Sequence, residues 1–491
     1  MSDNNILEGL NPAQHDAVIH RGGPMLVVAG AGSGKTRVLT HRIAHLIQED
    51  NVSPFGILAI TFTNKAAQEM KDRVARLVGP VAEKMWVSTF HSACVRMLRR
   101  DAKQLGYPNA FSIYDQADAV RLTAYVVRDL GLDIKKFVPR TIHGHISNLK
   151  NELISPDNAL DRAANIFDRK IAETYVEYQR RLRIAGAMDF DDLLTVTVEL
   201  FNKYPDVLDH YQQRFQHVLV DEYQDTNPAQ NDIVLKLADE HRNVFVVGDS
   251  DQSVYAFRGA DIRNILEFEK AFPDTSVVIL NQNYRSTQVI LDAANSVISN
   301  NFGRKPKDLW TDKTTGEKIV LYRADDEVDE SAWIIGEVQR LHQHGALRWS
   351  DVAIFYRANA QSRIVEECLA SASIPYRVVG GTRFYDRREV KDALAYLRAV
   401  VNPSDEVSIK RVLNVPKRGV GDSSVARLDQ YALAHGVSFR EALTNWPEAG
   451  ISGPAKKGLA NFTELIGQLS QRVSDGPAEL LQTALERSGY L

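Results

Sequence analysis

Eight consecutive residues, Ala29-Gly30-Ala31-Gly32-Ser33-Gly34-Lys35-Thr36, restrict the fold of this chain more than any other stretch. They follow an apolar run, Met25–Ala29, that reads as a strand, and they open a predicted helix. A strand that turns through small residues into a helix curls its backbone N–H groups around a phosphate, and the helix N-terminus adds partial positive charge. In that setting Lys35 neutralises the β- and γ-phosphates of a nucleotide and the Thr36 hydroxyl ligates Mg²⁺. Ala29 stands where the usual GxxxxGK[ST] pattern has its first glycine. A glycine-rich turn with a chance lysine is the competing reading, and the strand–loop–helix order argues against it.

Further apolar runs at 57–62, 86–89, 217–220, 244–248 and 277–280 alternate with helical patterns. Runs without polar alternation suit strands buried on both faces, so the chain reads as α/β with a parallel sheet. Between about 115 and 185 the strand signal disappears; 117–130 and 167–183 read as helices, which implies a helical insertion. A second strand set is expected at 319–323 and 352–357, followed by a short extended segment at 376–379. From 387 onward the pattern turns helical, through 392–401, 424–435 and 477–487. The length of 491 residues fits three or four domains of roughly 100–200 residues each.

A nucleotide site needs an acidic half, and 217–220 runs straight into Asp221-Glu222. Asp221 would hold Mg²⁺ through its water shell, and Glu222 would polarise the attacking water. Alone, such a pair is usually a solvated turn; a phosphate loop upstream in the same sheet inverts those odds. The run 246–252 ends in Gln252, placed to sense a γ-phosphate, and Asn283-Tyr284-Arg285-Ser286 offers an arginine near the start of a second α/β region. An arginine from a facing domain stabilises charge on a transferring phosphoryl group. Taken singly, Arg285 would be a surface ion-pair residue.

Composition excludes little. A net charge of −4 weighs against a histone-like coat protein, but not against a motor whose basic groups line one groove. Two distant cysteines, Cys94 and Cys368, exclude a disulfide framework and any CxxC site and fit a reducing cytoplasm. No run approaches the roughly 18–20 apolar residues of a membrane span, and the polar start lacks a secretory signal. Gripping a single strand takes aromatic faces and basic groups. Phe62, Phe190, Tyr255 and Phe257, with Arg258 beside them, are the candidates, together with Arg357 and Asn359. Each aromatic on its own would be a core residue, although acidic neighbours set Phe190 apart.

Taken in order, these motifs resemble the superfamily 1A DNA helicases of the UvrD/Rep/PcrA type. Leu10-Asn11-Pro12-Ala13-Gln14 matches the adenine-reading segment, and residues 29–36 match motif I. Thr61-Phe62-Thr63-Asn64 and Ser88-Thr89-Phe90-His91 match DNA-facing motifs. Asp221-Glu222-Tyr223-Gln224-Asp225, the stretch 248–261 and residues 282–287 match motifs II, III and IV. Tyr356-Arg357-Ala358-Asn359 resembles a strand-holding motif, and Phe257 stands where many members have tryptophan.

The resemblance implies two RecA-like P-loop NTPase domains with helical insertions. Domain 1A would take residues 1–114 and 186–276, 1B 115–185, 2A 277–386 and 2B 387–491. ATP would be held by Gln14, Ala29, Gly30, Ala31, Gly32, Ser33, Gly34, Lys35, Thr36, Arg37, Tyr284 and Arg285. Lys35, Asp221, Glu222, Gln252 and Arg285 would be catalytic, and Thr36 and Asp221 would hold Mg²⁺. Single-stranded DNA would run over Thr61, Phe62, Asn64, His91, Phe190, Tyr255, Phe257, Arg258, Arg357 and Asn359.

The activity implied is ATP-driven 3′–5′ translocation and unwinding at single-strand/duplex junctions. Repair or replication proteins are the expected partners, for a cytoplasmic monomer or weak dimer with no membrane contact. The family's His-x-x-Lys-Gly-Leu-Glu segment and its second phosphate-contacting arginine are not found. The chain is therefore expected to be truncated, with 2A present only in its N-terminal part and 2B partial. The alternative expectation is a fragment that binds ATP and single-stranded DNA with little hydrolysis.

Overall fold

The unalternated apolar runs form a parallel sheet because helices cover both of its faces. The computed structural model describes residues 6–301, 304, 307–345, 347–379 and 387–491. Its strands are β1 (Met25–Ala29), β2 (Ile57–Thr61), β3 (Trp86–Thr89), β4 (Ser112–Ile113), β5 (Ala187–Met188), β6 (His217–Val220), β7 (Val244–Gly248) and β8 (Ser276–Leu280). Six of them make one sheet in the order β3-β2-β6-β7-β1-β8, and every neighbouring pair is parallel. The short β4 and β5 pair separately.

Every residue of β1, β2 and β7 is buried. The two-residue period of a strand divides them between two cores. Leu26, Val28, Leu58 and Ile60 face one, with Phe90, Met97 and Tyr223. Val27, Ala29, Ala59 and Val247 face the other, against Val38, Leu39 and Ile43 of the helix Lys35–Gln48. Motif-bearing segments therefore emerge together at the carboxyl ends of β1, β2, β3, β6 and β7, where open parallel sheets bind ligands. β8 pairs with β1 from Met25↔Ser276 to Ala29↔Leu280, so the boundary expected at 277 falls inside a strand of the first sheet.

The insertion contains the helices Gln116–Asp129, Pro139–Asn151, Pro156–Arg162 and Ile166–Ile184. They close around Leu122, Val126, Ile142, Ile146, Tyr175 and Tyr178. The second and third of these were not legible as helices. In 139–151, Gly144, two histidines and two asparagines dilute the apolar stripe to Ile142, Ile146 and Leu149, and only the packing of that stripe reveals it. The helical reading beyond 387 is realised as Arg388–Val401, Asp422–His435 and Pro477–Ser488, with further helices at Glu406–Leu413, Phe439–Thr444 and Ala455–Ser470.

The chain divides into two compact units, residues 1–316 with 396–491, and residues 317–395. In the second, the helices Glu327–Gln343 and Ser362–Ser371 pack through Ile335, Leu369 and Ile374. The strands expected at 319–323 and 352–357, and the extended segment at 376–379, join no ladder among the described residues. β-branched composition sets a preference, but a strand needs a partner's N–H and C=O groups to become one. Ile319, Val320 and Leu321 are 61%, 70% and 94% exposed there. None of the described helices is long and apolar enough to cross a membrane.

Candidate nucleotide and nucleic-acid site

The loop after β1 turns through Gly32 at φ 66° and Gly34 at φ 90°, left-handed values that a side chain resists. Space demands glycine as well. A Cβ on Gly34 would lie 2.8 Å from Gln14 Nε2, and one on Gly32 would lie 2.6 Å from Asn283 Nδ2 and 2.9 Å from the Arg285 Cβ. Within the loop, Ser33 Oγ donates to the Gly30 carbonyl at 2.8 Å. Gln14 Nε2 donates to the Ser33 carbonyl at 2.9 Å, and a capping box with Asn11 fixes Gln14 at the start of the helix Pro12–Ile19.

Asn11 Nδ2 in turn donates to the Tyr284 hydroxyl at 2.8 Å. From the segment after β8, Asn283 Nδ2 donates to the Ala31 carbonyl at 2.6 Å and the Tyr284 N–H to the Gly32 carbonyl at 3.0 Å. Gln14, the 29–36 loop, Tyr284 and Arg285 therefore share one place. Thr36 lies in the first turn of the helix that Lys35 opens, and the next residue, Arg37, donates to the Glu8 carbonyl at 3.3 Å.

β6 delivers the acidic pair beside this loop. Asp221 is 6% exposed. Burial pushes its carboxyl up to about 7, the Glu222 charge pushes the same way, and Lys35 and Arg73 oppose. Glu222 holds φ 52°, a left-handed value in a residue other than glycine. Strain of that kind persists where the surroundings over-determine it. Lys35 Nζ and Gln224 Nε2 both donate to Glu222 Oε2 at 2.8 Å. Gln224 Oε1 accepts from the Asp249 N–H at 2.8 Å, which ties the end of β6 to the end of β7.

Gln252 donates to the Asp249 carboxylate rather than toward the loop. The other Asp249 oxygen pairs with Lys307 Nζ at 2.7 Å, and Lys307 also reaches Asp251 at 2.7 Å. Thr36, in the first turn of the loop's helix, and the buried Asp221 are oxygen donors of the type that suits Mg²⁺, which takes one or two protein oxygens and leaves the rest to water and phosphate.

The nucleic-acid candidates fall into two aromatic groups. Phe62, just past Thr61 at the end of β2, meets Tyr255 at a tilt of 32° with 4.7 Å between ring centroids, and Tyr255 lies 6.0 Å from Phe257. Phe190 meets the His91 ring edge-on at 6.1 Å, and burial lowers the His91 pKa. Phe257 and Phe190 are 70% and 49% exposed, so neither is a core residue. Asn64 accepts a 3.4 Å hydrogen bond from the Thr89 hydroxyl. Arg258 belongs to a short turn of helix at 256–258, and its side chain lies outside the described residues. Arg357 and Asn359 are exposed in the second unit, at the turn before the helix Ser362–Ser371.

Sequence reading missed three residues. Asn283 donates to the 29–36 loop; Lys307 pairs with Asp249 and Asp251. Arg73 acts on Asp221 and lines, with Arg37, Thr40, His41 and Arg76, a cleft of about 360 Å³. Asn283 carried a signal, since it lies inside a matched motif. Lys307 and Arg73 carried none, because a basic residue in a polar stretch reads as solvated surface.

A parallel sheet with a phosphate loop after β1 and an acidic pair after β6 defines a P-loop nucleotide-binding fold. Comparison with known proteins is more specific. The UvrD/REP helicase N-terminal domain matches residues 10–273, and the UvrD-like helicase C-terminal domain matches 278–445. The chain is 50% identical to the ATP-dependent DNA helicase PcrA of Bacillus subtilis, over 99% of this chain and 66% of that protein. It is 52% identical to the ATP-dependent DNA helicase UvrD1 of Mycobacterium tuberculosis, over 99% and 65%. It belongs to the UvrD/Rep helicase family. The match to both family domains overturns the expectation of a truncated member carrying only an opening part of the second domain. The chain spans about 65–67% of the length of the curated relatives it matches.

Proposed function

We propose that this chain hydrolyses ATP and uses the cycle to move along single-stranded DNA from 3′ to 5′, opening duplex at single-strand/duplex junctions in repair or replication. The observation that carries the reading is the convergence on one loop. Lys35 lies 2.8 Å from Glu222, and the Tyr284 N–H and the Arg285 Cβ are packed against Gly32 from a segment some 250 residues away.

Gln14, Arg37 and Tyr284 bracket the base and ribose, and the 30–34 backbone with Lys35 takes the phosphates. Entry of a γ-phosphate draws Lys35 off Glu222. That frees the Glu222 carboxylate to orient water and accept its proton. Thr36 and Asp221 would hold Mg²⁺, which would supply shielding of the phosphate charge. Arg285 stabilises charge on the transferring group, and Gln252 reports it by leaving Asp249. Because β2, β6 and β7 end side by side, rearrangement at Asp221–Gln252 reaches Phe62, Tyr255 and Phe257 through short segments. Phe190, His91, Thr61, Asn64 and Arg258 complete the DNA track on the first unit, and Arg357 and Asn359 are the strand-holding candidates of the second.

Steady-state ATP turnover with and without a poly-dT oligonucleotide tests the reading. Stimulation by DNA that vanishes in Lys35→Ala and Glu222→Gln is the expected result. Tight binding of ATP and DNA with no turnover in the unmutated chain would overturn it.

A further inference from the structure

Asn151 ends the insertion helix Pro139–Asn151 and is 8% exposed, yet neither the nucleotide nor the DNA reading uses it. Its side chain stands where three functional segments meet. Its Oδ1 accepts from Asn227 Nδ2 at 2.6 Å. Asn227 caps the helix that begins just beyond the acidic pair and is 6% exposed. The Asn151 Nδ2 donates to the Asp191 carboxylate at 3.3 Å, next to Phe190, and to the Ser147 carbonyl at 2.9 Å. On its third side, a Cβ placed on Gly259 would lie 3.5 Å from the Asn151 Cβ, and Gly259 is two residues from Phe257.

The neighbours are firmly held. Lys150 Nζ pairs with Asp189 and Asp192, both at 2.8 Å, and so fixes the start of the helix that carries Phe190. The Thr226 carbonyl accepts from the Asp261 N–H and from Asn264 Nδ2, each at 2.9 Å, which pins the segment beyond Gly259 to the one carrying the acidic pair. Among these fixed pieces the Asn151 amide touches all three segments.

We propose that Asn151 is a positioning residue that couples the acidic pair to the two aromatic grips on DNA. It acts through Asn227 on one side and through Asp191 and Gly259 on the other. The proposal rests on the ATP- and DNA-dependent reading above. An amide offers a donor and an acceptor in one fixed plane, so it can tie three segments in one geometry without adding a charge. If DNA shifts Phe190 or the Tyr255–Phe257 turn, the bond to Asn227 carries that shift to the strand end bearing Glu222. Coupling free energies between sites correspond to about 5- to 150-fold in affinity.

The proposal is tested by ATP turnover of the full chain with and without poly-dT, alongside fluorescence-anisotropy titration of labelled dT. In Asn151→Ala, unstimulated turnover and the dissociation constant for dT should stay within about twofold, while the stimulated kcat falls about tenfold. Should the alanine variant not fold, as judged by its melting curve, Asn151→Asp serves in its place. It keeps the acceptor for Asn227 and sets a carboxylate against Asp191. Undiminished stimulation overturns the proposal, as does a parallel fall in unstimulated turnover, which would mark a merely structural role. If the unmutated chain shows no stimulation at all, the ATP- and DNA-dependent reading itself fails and takes this one with it.

Discussion

Lys150 and Lys35, both in the first unit, each lie beside a pair of acidic residues, and they do opposite things. Lys150 is 1% exposed and bonds both Asp189 and Asp192; Tyr178 and Gln179 satisfy the same two carboxylates. Burial alone would lower its pKa, yet the two carboxylates win and raise it. Lys35 bonds only Glu222 and leaves Asp221 buried with its carboxyl pushed up to about 7. Burial lifts carboxyls in both places, Asp192 to about 6 and Asp221 to about 7, but Asp192 has a lysine bonded to it, while Asp221 has no bonded counter-charge among the described residues in the place where a cation and a phosphate would come. Burial and a raised carboxyl are common to both, so neither marks function by itself. A carboxylate left without a bonded counter-charge beside a glycine-rich loop does.

Breaking the Lys150 cluster has the largest expected effect. Lys150→Ala leaves Asp189 and Asp192 buried without their counter-charge, and removal of one partner from a buried ion pair costs about 3–5 kcal/mol. Chemical denaturation should show that loss. Lys35→Ala should change stability far less, because Glu222 keeps its bond from Gln224 and its side chain is 32% exposed. If both variants lose stability equally, the contrast between the clusters is wrong.

A second, smaller effect separates the exposed aromatics from the core ones. Phe257 is 70% exposed and supports no core, so Phe257→Ala should leave the melting temperature in place. Binding of dT oligonucleotides should weaken by about 1–3 kcal/mol if one base stacks there. Phe257→Trp enlarges the stacking face and should tighten binding. Unchanged affinity in both variants would remove Phe257 from the track.

How much of this was legible depends on whether a residue's role is local. The phosphate loop, the acidic pair and the strands of the first sheet are read from contiguous residues, because backbone geometry and burial leave a pattern within one segment. Arg285 was legible as a candidate from its motif, but its place beside Gly32 was not, since a contact across some 250 residues leaves no periodicity. Lys307 and Asn151 lay beyond reach for the same reason: an amide or amine in a polar stretch looks solvated until the partner segments are in place. The segment 319–323 failed the other way. Its composition is that of a strand, but pairing belongs to the tertiary fold rather than to the composition.

The smallest effect is the sharpest probe of the comparison, because its sign depends on pH. The Asp221 carboxyl, ordinarily at 3.8, is pushed up to about 7 in the fold, by burial first and by Glu222 second. Between those values the folded state keeps a proton that the unfolded state has released. Stability therefore falls as pH rises from about 4 to about 7, and the penalty is complete above that. Asp221→Asn cannot ionise, so it should unfold later than the unmutated chain at pH 8, by about 1 kcal/mol, while losing ATP turnover. At pH 5, where only the unfolded aspartate has ionised, the advantage should shrink, and below about pH 4 it should vanish. The same change in the Lys150 cluster, Asp189→Asn, should destabilise at both pH values, because Lys150 holds that carboxylate below its ordinary pKa despite burial. Denaturant melts of the two variants at pH 5 and pH 8 decide the matter, and a stabilised Asp189→Asn or a destabilised Asp221→Asn at pH 8 would reverse the assignment of which cluster is built for binding.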